Sequence, residues 1–195
     1  MIRAAVDLLS RSGLSGLDIK EVAAASAASK ASVQRFFPGG NLELATAALR
    51  EAEQRFAQWF RTVFHQRKPI AEKVELLFAD AAKNVEASGF TKGCPAVSVT
   101  FDVDRDSEGL RAVCRALFMT WQDVIATGLD EVPKAERSEA AELILATLEG
   151  AMILSRAAAT KEPLLRAGGS LGALLSRKFR AASSKGGARR RRRKA

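Results

Sequence analysis

The stretch Val22-Ala-Ala-Ala-Ser-Ala-Ala-Ser-Lys-Ala-Ser-Val-Gln-Arg-Phe-Phe37 decides the fold of this chain. Its first residues continue a short helix that Asp18-Ile-Lys-Glu21 opens in capping-box form. Residues 25–28 are small and predict a turn, after which Ser29 is a favourable N-cap for a helix over Lys30–Phe36. Two short helices joined by a tight turn are typical of a helix-turn-helix.

The sequence on either side predicts more helices. Ile2, Ala5, Val6 and Leu9 mark one face of a first helix, which Gly13 ends. After the breaker Pro38-Gly39-Gly40, apolar residues recur at three- and four-residue spacing, which predicts helices over 42–66, 70–88, 110–128, 137–160 and 164–180.

The segment Pro95–Asp102 is ambiguous, because its Val-Ser-Val-Thr-Phe alternation is typical of a strand. A single strand has no partner in this chain, so we interpret the segment as a helix. The predicted fold class is therefore all-α, with about nine helices. We predict a three-helix domain over 1–46, a larger helical domain over 47–180 and a disordered basic tail over 181–195.

The charge of the chain is unevenly distributed. The net charge is +9, but ten of the 31 basic residues lie from Arg177 onward, and the other 21 nearly balance the 22 acidic residues. Cys94 and Cys114 have no histidine or cysteine cluster around them, so no metal site is expected. No apolar run approaches the roughly eighteen residues of a membrane span, and with one histidine no catalytic set is plausible. We expect no cofactor.

The quoted stretch resembles the signature of the TetR family of transcriptional regulators, in which an Ile-Ala pair, a turn, Ser-Lys, a small pair, Leu-Tyr and a closing Phe follow at fixed spacing. The flanks, from Ala4 to Phe37-Pro38 and Leu42, also match. In addition, Lys92-Gly-Cys-Pro95 resembles the branch that includes regulators of multidrug efflux pumps. The resemblance implies a cytoplasmic repressor that acts as a homodimer on a palindromic operator and is released by a small-molecule effector.

Several positions depart from the family pattern. The turn Gly is replaced by Ala27, the recognition-helix Tyr by Gln34, and a Lys at the start of the fourth helix by Gly40. The Tyr and the Lys usually contact phosphate, so their loss weakens sequence-independent affinity for DNA. The first helix begins at Met1, which raises the hypothesis that the native chain starts upstream.

The recognition helix provides the candidate DNA contacts, because the N-terminal residues of the second helix enter the major groove. Arg and Gln side chains can read guanine and adenine, and a helix N-terminus can hold a phosphate. The alternative is that these side chains are only the solvated face of a short helix. The candidates are Ser29, Lys30, Ser32, Gln34 and Arg35.

Aromatic residues of the middle helices are the candidate effector pocket. At helical spacing such residues form plain core more often than a binding site, but the resemblance implies a mainly apolar ligand cavity. Asp102, Gln122 or Asp123 were considered as polar contacts of the ligand. The candidate pocket residues are Trp59, Phe60, Phe78, Phe101, Phe118 and Trp121.

The last two helices are the candidate dimer interface. Small residues in the penultimate helix allow close approach of a second helix, although packing inside one chain is the alternative. The candidate interface residues are Ile144, Leu148, Ala151, Leu171, Leu174 and Leu175.

Two other functions stay open at this stage. One is a ligand-binding dimer whose helix-turn-helix is degenerate, which Gln34 and Gly40 favour. The other is an architectural DNA binder that acts through the basic run Arg189–Lys194, where each cation can neutralise a phosphate. The main prediction is a DNA-binding transcriptional repressor that is not an enzyme, whose partners are double-stranded DNA and an unknown effector.

Overall fold

The computed structural model describes residues 1–103 and 108–192, with side chains as far as Phe179. Within these residues the chain forms nine α-helices, a short 3-10 helix (Lys134–Glu136) and no strand, which confirms the all-α prediction. In chain order the α-helices are α1 (Ile2–Ser12), α2 (Ile19–Ala25), α3 (Lys30–Phe36), α4 (Gly40–Phe64), α5 (Ile70–Ala87), α6 (Pro95–Asp102), α7 (Glu108–Thr127), α8 (Arg137–Ala158) and α9 (Glu162–Arg192).

The helices form two compact units. The first unit contains residues 1–59 and 85–121, and the second contains 60–84 and 122–195. The three N-terminal helices therefore share a unit with the first part of α4, with α6 and with most of α7. The functional division after residue 46 that the sequence suggested stays a prediction.

Side-chain caps begin the two helices of the helix-turn-helix, as predicted. Asp18 Oδ1 accepts a hydrogen bond from Lys20 N at 2.6 Å, and Ser29 Oγ accepts one from Ser32 N at 3.0 Å. Each cap satisfies a backbone N–H that the first turn of a helix leaves without a partner. The two caps thus define where α2 and α3 start.

The turn between α2 and α3 contains an alanine in a backbone conformation that favours glycine. Ala27 has a φ of 51°, and it follows α2 in a Schellman motif. In that motif Ala28 N donates to Ala23 O at 3.0 Å and Ala27 N donates to Ala24 O at 3.4 Å. The hydrogen bonds hold Ala27 in the left-handed region despite its Cβ, which costs about 1–2 kcal/mol relative to glycine.

Helix α6 packs against α1 inside the first unit. Cys94 precedes α6 and Pro95 occupies its first turn, where a proline is preorganised for a helix. Gly93 N also donates a hydrogen bond to Ser10 O at 2.8 Å. The strand-like alternation of this segment is therefore explained by a short helix with Pro95, Ala96 and Val99 buried.

In the second unit, α8 and α9 pack along each other. Both helices contribute buried apolar side chains to the core of this unit, including Ile144, Leu148, Leu164, Leu171 and Leu175.

Glycine allows α9 to approach α5 in the same unit. A Cβ at Gly168 would lie 2.6 Å from Phe78 Cβ, and one at Gly172 would lie 3.0 Å from Ala71 O, whereas Gly169 has open space. The structure shows that Gly168 is needed for close packing, because any larger residue meets the root of the Phe78 side chain.

The C-terminal end of α9 differs from the prediction. The predicted helix ends near residue 180 and is followed by a disordered tail over 181–195, whereas the backbone is helical to Arg192. Ala, Lys and Arg are good helix formers, so a helix can continue without an apolar pattern. The last residues of the basic run Arg189–Lys194 lie outside the described residues. None of the helices described is long and apolar enough to cross a membrane.

Candidate functional site

Helix α3 presents its polar side chains to the outside. Ser29, Lys30, Gln34 and Arg35 are exposed and Ser32 is half-buried, while Val33 is the buried residue of the helix. One buried position per two turns anchors α3 to the first unit and leaves its other faces open. The structure thus places all five candidate DNA contacts on one short accessible helix.

The two candidate serines are linked to each other. Ser29 Oγ donates a hydrogen bond to Ser32 Oγ at 2.9 Å, in addition to accepting one from Ser32 N. This network fixes the orientation of the Ser29 hydroxyl at the N-terminus of α3. The neighbouring backbone N–H groups and the helix dipole favour an anion there.

An exposed aromatic ring lies at the other end of α3, and the sequence analysis did not single it out. Phe36 is 57% exposed, and the Arg35 guanidinium lies over its ring at 5.4 Å from the centroid. Leu42, in the first turn of α4, is equally exposed. The stacking limits the conformations of Arg35 without removing its charge from solvent.

Helix α4 begins in a different way from α3. Gly40 has a φ of 70°, and Gly39 N donates a hydrogen bond of 2.7 Å to Glu43 Oε2. The Glu43 carboxylate, in the first turn of α4, thus accepts a hydrogen bond from the backbone N–H that precedes the helix. As a result, a negative charge occupies the helix end where the TetR resemblance implies a phosphate contact.

A carboxylate from α6 holds the end of α1. Asp102 Oδ2 accepts hydrogen bonds from Leu14 N at 2.6 Å and from Ser15 N at 3.4 Å. Gly13 has a φ of 67°, and a Cβ there would collide with the Asp102 carboxylate. Asp102 therefore fixes the end of α1 through Oδ2, a role that the sequence did not indicate.

The six aromatic candidates for an effector pocket are divided between the two units. Trp59, Phe118 and Trp121 belong to the first unit, where Phe118 and Trp121 meet edge to face and Phe56 contacts both tryptophans. Phe60 and Phe78 are buried in the second unit. None of the six lines the surface pockets beside Ile70, Gly150 or Arg3.

Phe101 was assigned wrongly to an internal pocket. Its side chain is 78% exposed in α6, because helical spacing places it on the side opposite the buried Pro95–Ala96 pair and Val99.

Polar contacts fix the aromatic cluster of the first unit in place. Trp121 Nε1 donates a hydrogen bond to Glu53 O at 3.0 Å, and Thr120 Oγ1 donates one to Glu53 Oε1 at 2.7 Å. A buried indole N–H needs an acceptor, and α4 supplies it. These bonds join α7 to α4 inside the unit that carries α3.

Most of the residues predicted for the dimer interface are buried within the chain. Ile144, Leu148, Leu171 and Leu175 are between 0% and 6% exposed, so they are not accessible to a second copy. Ala151 is only 4% exposed, although it lines a surface groove, so Leu174 is the one exposed member of the predicted set, at 50%. The error has a simple origin: on a helix, neighbouring positions differ by about 100°, so the buried and the exposed stripes of α8 lie one residue apart.

The exposed stripe of α8 is itself apolar. Leu143, Thr147, Gly150 and Leu154 follow each other at three- and four-residue spacing, and Leu154 is 61% exposed. A groove of about 580 Å³ runs beside Gly150 and Leu154 and is closed on the α9 side by residues including Pro163 and Ala167. The second unit thus presents an apolar helical face to solvent.

The buried ionisable groups of the described residues show no arrangement for catalysis. Burial raises the pKa of the Cys114 thiol, which keeps it protonated and therefore a weak nucleophile. Lys73 is buried in the second unit, and its Nζ donates to Gly128 O at 2.8 Å, after the end of α7. No group of three His, Cys, Asp or Glu side chains with metal-binding geometry occurs in the described ranges.

Comparison with known proteins points to one family. A family model described as "Transcriptional regulator LmrA/YxaF-like, C-terminal domain" matches residues 70–170. The uncharacterized HTH-type transcriptional regulator YxaF of Bacillus subtilis is 26% identical over 180 residues, which cover 91% of this chain and 94% of YxaF. The regulator LmrA of the same organism is 25% identical over 179 residues, with 91% and 95% covered.

Solved structures agree with the fold. A regulatory protein TetR from Rhodobacter sphaeroides superimposes with a TM-score of 0.78 at 20% identity, covering 88% of this chain and 94% of that one. The TetR family regulator CifR, solved in complex with a 26 bp operator DNA, superimposes with a TM-score of 0.74 at 17% identity, covering 88% and 92%.

Proposed function

Because the chain belongs to the TetR family of transcriptional regulators, with a C-terminal domain of the LmrA/YxaF-like type, we propose that it represses transcription as a homodimer and leaves its operator when a small-molecule effector binds. Residues 1–46 would contact DNA, and residues 47–180 would bind the effector and the second copy. Such a repressor acts in the cytoplasm, where bacterial DNA lies.

The observation that carries the proposal is the capped and accessible helix α3. We assign Arg35 and Gln34 to base edges in the major groove, because their side chains are long and exposed and can form paired hydrogen bonds to guanine and adenine. We assign Ser29 and Lys30 to phosphate contacts at the helix N-terminus. Ser32 then acts mainly by orienting the Ser29 hydroxyl.

The apolar stripe of α8 supports the dimer. Leu143 and Leu154 of this stripe are 43% and 61% exposed, and Leu174 on α9 is 50% exposed, so these leucines offer apolar surface that a partner can cover. A second copy related by a two-fold axis would cover each stripe with its equivalent and place two copies of α3 on one operator. We therefore replace most of the predicted interface by Leu143, Thr147, Gly150, Leu154 and Leu174.

For an effector to release the operator, its binding site in residues 47–180 must be connected to α1. The hydrogen bonds from Leu14 and Ser15 to Asp102, and from Gly93 to Ser10, attach α1 to the segment 93–102. An effector that binds one arrangement of this segment more tightly than the other favours the α3 position that belongs to that arrangement. A difference of a few kcal/mol between the two binding free energies is enough to shift the population. The aromatic cluster around Trp121 is our candidate for part of its pocket.

The test measures operator binding by gel shift with DNA from upstream of the protein's own gene, at two salt concentrations. We expect Arg35→Ala to weaken specific binding by about tenfold or more, in line with the loss of a bidentate base contact. Arg67→Ala is the matched control, since Arg67 is an exposed arginine of the second unit. Binding that is indifferent to sequence and to Arg35→Ala, or that disappears when residues 181–195 are removed, would contradict the proposal.

A further inference from the structure

A pocket of the first unit, outside the proposed operator and effector contacts, concentrates positive charge. It has a volume of about 570 Å³, and one face of α1 forms a wall of it. Its charged lining consists of four cations and one carboxylate: Arg3, Arg11, Arg55, Lys92 and Asp7. Its other lining residues are apolar: Ala4, Leu8 and Ala25.

The single carboxylate does not neutralise the pocket. Lys92 Nζ lies 3.0 Å from Asp7 Oδ2, so these two charges form a pair. Arg11 Nη1 donates a hydrogen bond to the neutral Thr91 Oγ1 at 3.0 Å. Counted over the lining residues, four cations stand against one carboxylate.

Arg3 and Arg55 stand out from the other cations. Both side chains are exposed, and neither forms a hydrogen bond or ion pair with any residue in the described ranges. The first turn of α1 also contains no acidic residue. Arg3 thus adds to the positive end of a helix dipole that would ordinarily attract a carboxylate.

We propose that this pocket binds the phosphate group of a small phosphorylated molecule between Arg3 and Arg55. A guanidinium offers parallel N–H donors that match two phosphate oxygens, and two of them can hold a dianion. The volume lies within the range of small-molecule sites, and the apolar residues provide a surface for an organic group beside the phosphate.

The position of Arg55 along α4 indicates that the phosphate belongs to a small molecule and not to a DNA backbone. Arg55 lies fifteen residues after Gly40, where α4 begins, and at 1.5 Å per residue this is about 22 Å along the helix axis. The DNA contacts assigned above lie at the start of α3. A phosphate in the pocket would instead bridge α1 and α4 within the unit that carries α3.

The experiment measures binding of phenyl phosphate to the full chain by calorimetry at low salt. We expect the wild type to bind phenyl phosphate and the Arg3→Gln/Arg55→Gln variant to bind it at least about tenfold more weakly. The reason is that the variant lacks both guanidinium groups and their charge-assisted hydrogen bonds to the phosphate. The control variant Arg67→Gln/Lys83→Gln removes two exposed cations of the second unit and should bind like the wild type. Benzyl alcohol, which lacks the phosphate, should not bind.

A second variant should bind phenyl phosphate more tightly than the wild type. Asp7→Asn removes the only carboxylate of the pocket and frees Lys92, so phenyl phosphate should bind several-fold more tightly. Equal affinity in all variants, or no binding to the wild type, would overturn the proposal. So would a loss of operator affinity in Arg3→Gln/Arg55→Gln with phenyl phosphate binding unchanged, which would assign the pocket to the DNA surface. The repressor assignment depends on Arg35 and is tested separately.

Discussion

The first unit attaches α1 to the segment 91–102 through polar contacts, whereas the second unit brings α9 against α5 with glycines at the closest points. In the first unit the contacts are those of Asp102, Gly93 and Thr91 with α1 and the residues after it. In the second unit Gly168 and Gly172 meet Phe78 and the Ala71 backbone. Hydrogen bonds near the surface can be exchanged for water at low net cost, while close packing tolerates little displacement.

The difference suggests a division of labour. In the proposed repressor, the unit with exchangeable contacts carries α3 and would change its arrangement when an effector binds. The unit with close packing carries α8 and α9, where the proposed dimer would need a constant geometry. Four tests of this comparison follow, from the largest expected effect to the smallest.

The close packing of α9 is tested by Gly168→Ala. The new Cβ would lie 2.6 Å from Phe78 Cβ, so helices α5 and α9 must separate. We expect the free energy of unfolding to fall by about 1–3 kcal/mol, as for other overpacked cores. Gly169→Ala is the matched control, because its Cβ enters open space and should stabilise α9 by up to about 1 kcal/mol. Thermal unfolding at equal protomer concentration measures both, and equal shifts would contradict the packing difference.

The polar attachment of α1 is tested by Asp102→Ala. The N–H groups of Leu14 and Ser15 lose their acceptor, but both are exposed and water can replace it. We expect a loss of about 1 kcal/mol in unfolding free energy. In hydrogen exchange, the Leu14 and Ser15 amides should exchange faster.

Asp102→Asn is the matched control for this attachment, because an amide oxygen can still accept one hydrogen bond. Its Leu14 amide should keep most of its protection. If effector release of the operator is unchanged in Asp102→Ala, then Asp102 does not connect α6 to α1 in the repressor.

The start of α4 is tested by Glu43→Gln. The amide oxygen keeps the hydrogen bond from Gly39 N, while the negative charge is removed from the predicted phosphate side. We expect operator affinity to rise several-fold at low salt and the gain to shrink as salt is added, because screening weakens charge repulsion. Glu51→Gln, further along α4, should change affinity less. Equal gains in both variants would show that only net charge matters.

The smallest predicted change in unfolding free energy is for the two alanines with positive φ. Because one lies in each unit, their substitution by glycine compares the two units directly. Ala27 in the first unit and Ala159 in the second both have positive φ after a helix, at 51° and 49°. Glycine at either position removes steric strain but gives the unfolded chain more freedom, so each substitution should stabilise by about 0.5–1 kcal/mol. A destabilised Ala27→Gly in chemical unfolding would mean that this turn is not strained.

Local signals of the sequence predicted much of the fold. The caps Asp18 and Ser29 mark the starts of α2 and α3, and the spacing of apolar residues predicts the remaining helices, because both depend on residues within one or two turns. Even the segment Pro95–Asp102 was resolved as a helix. The positions of the five candidate DNA contacts on α3 follow from the same local pattern.

The contacts that each side chain makes join residues that are far apart in the chain, and local sequence patterns did not predict these contacts. Ile144 is buried whereas its neighbour Leu143 is 43% exposed, and Phe101 is 78% exposed, although all three are apolar residues of helices that pack against others. The roles of Gly168 and Asp102 likewise became visible only from their contacts with Phe78 and Leu14. The amino-acid sequence alone determined the helices and the helix-turn-helix, since these are local, whereas the tertiary structure decided which faces are buried, attached or left free.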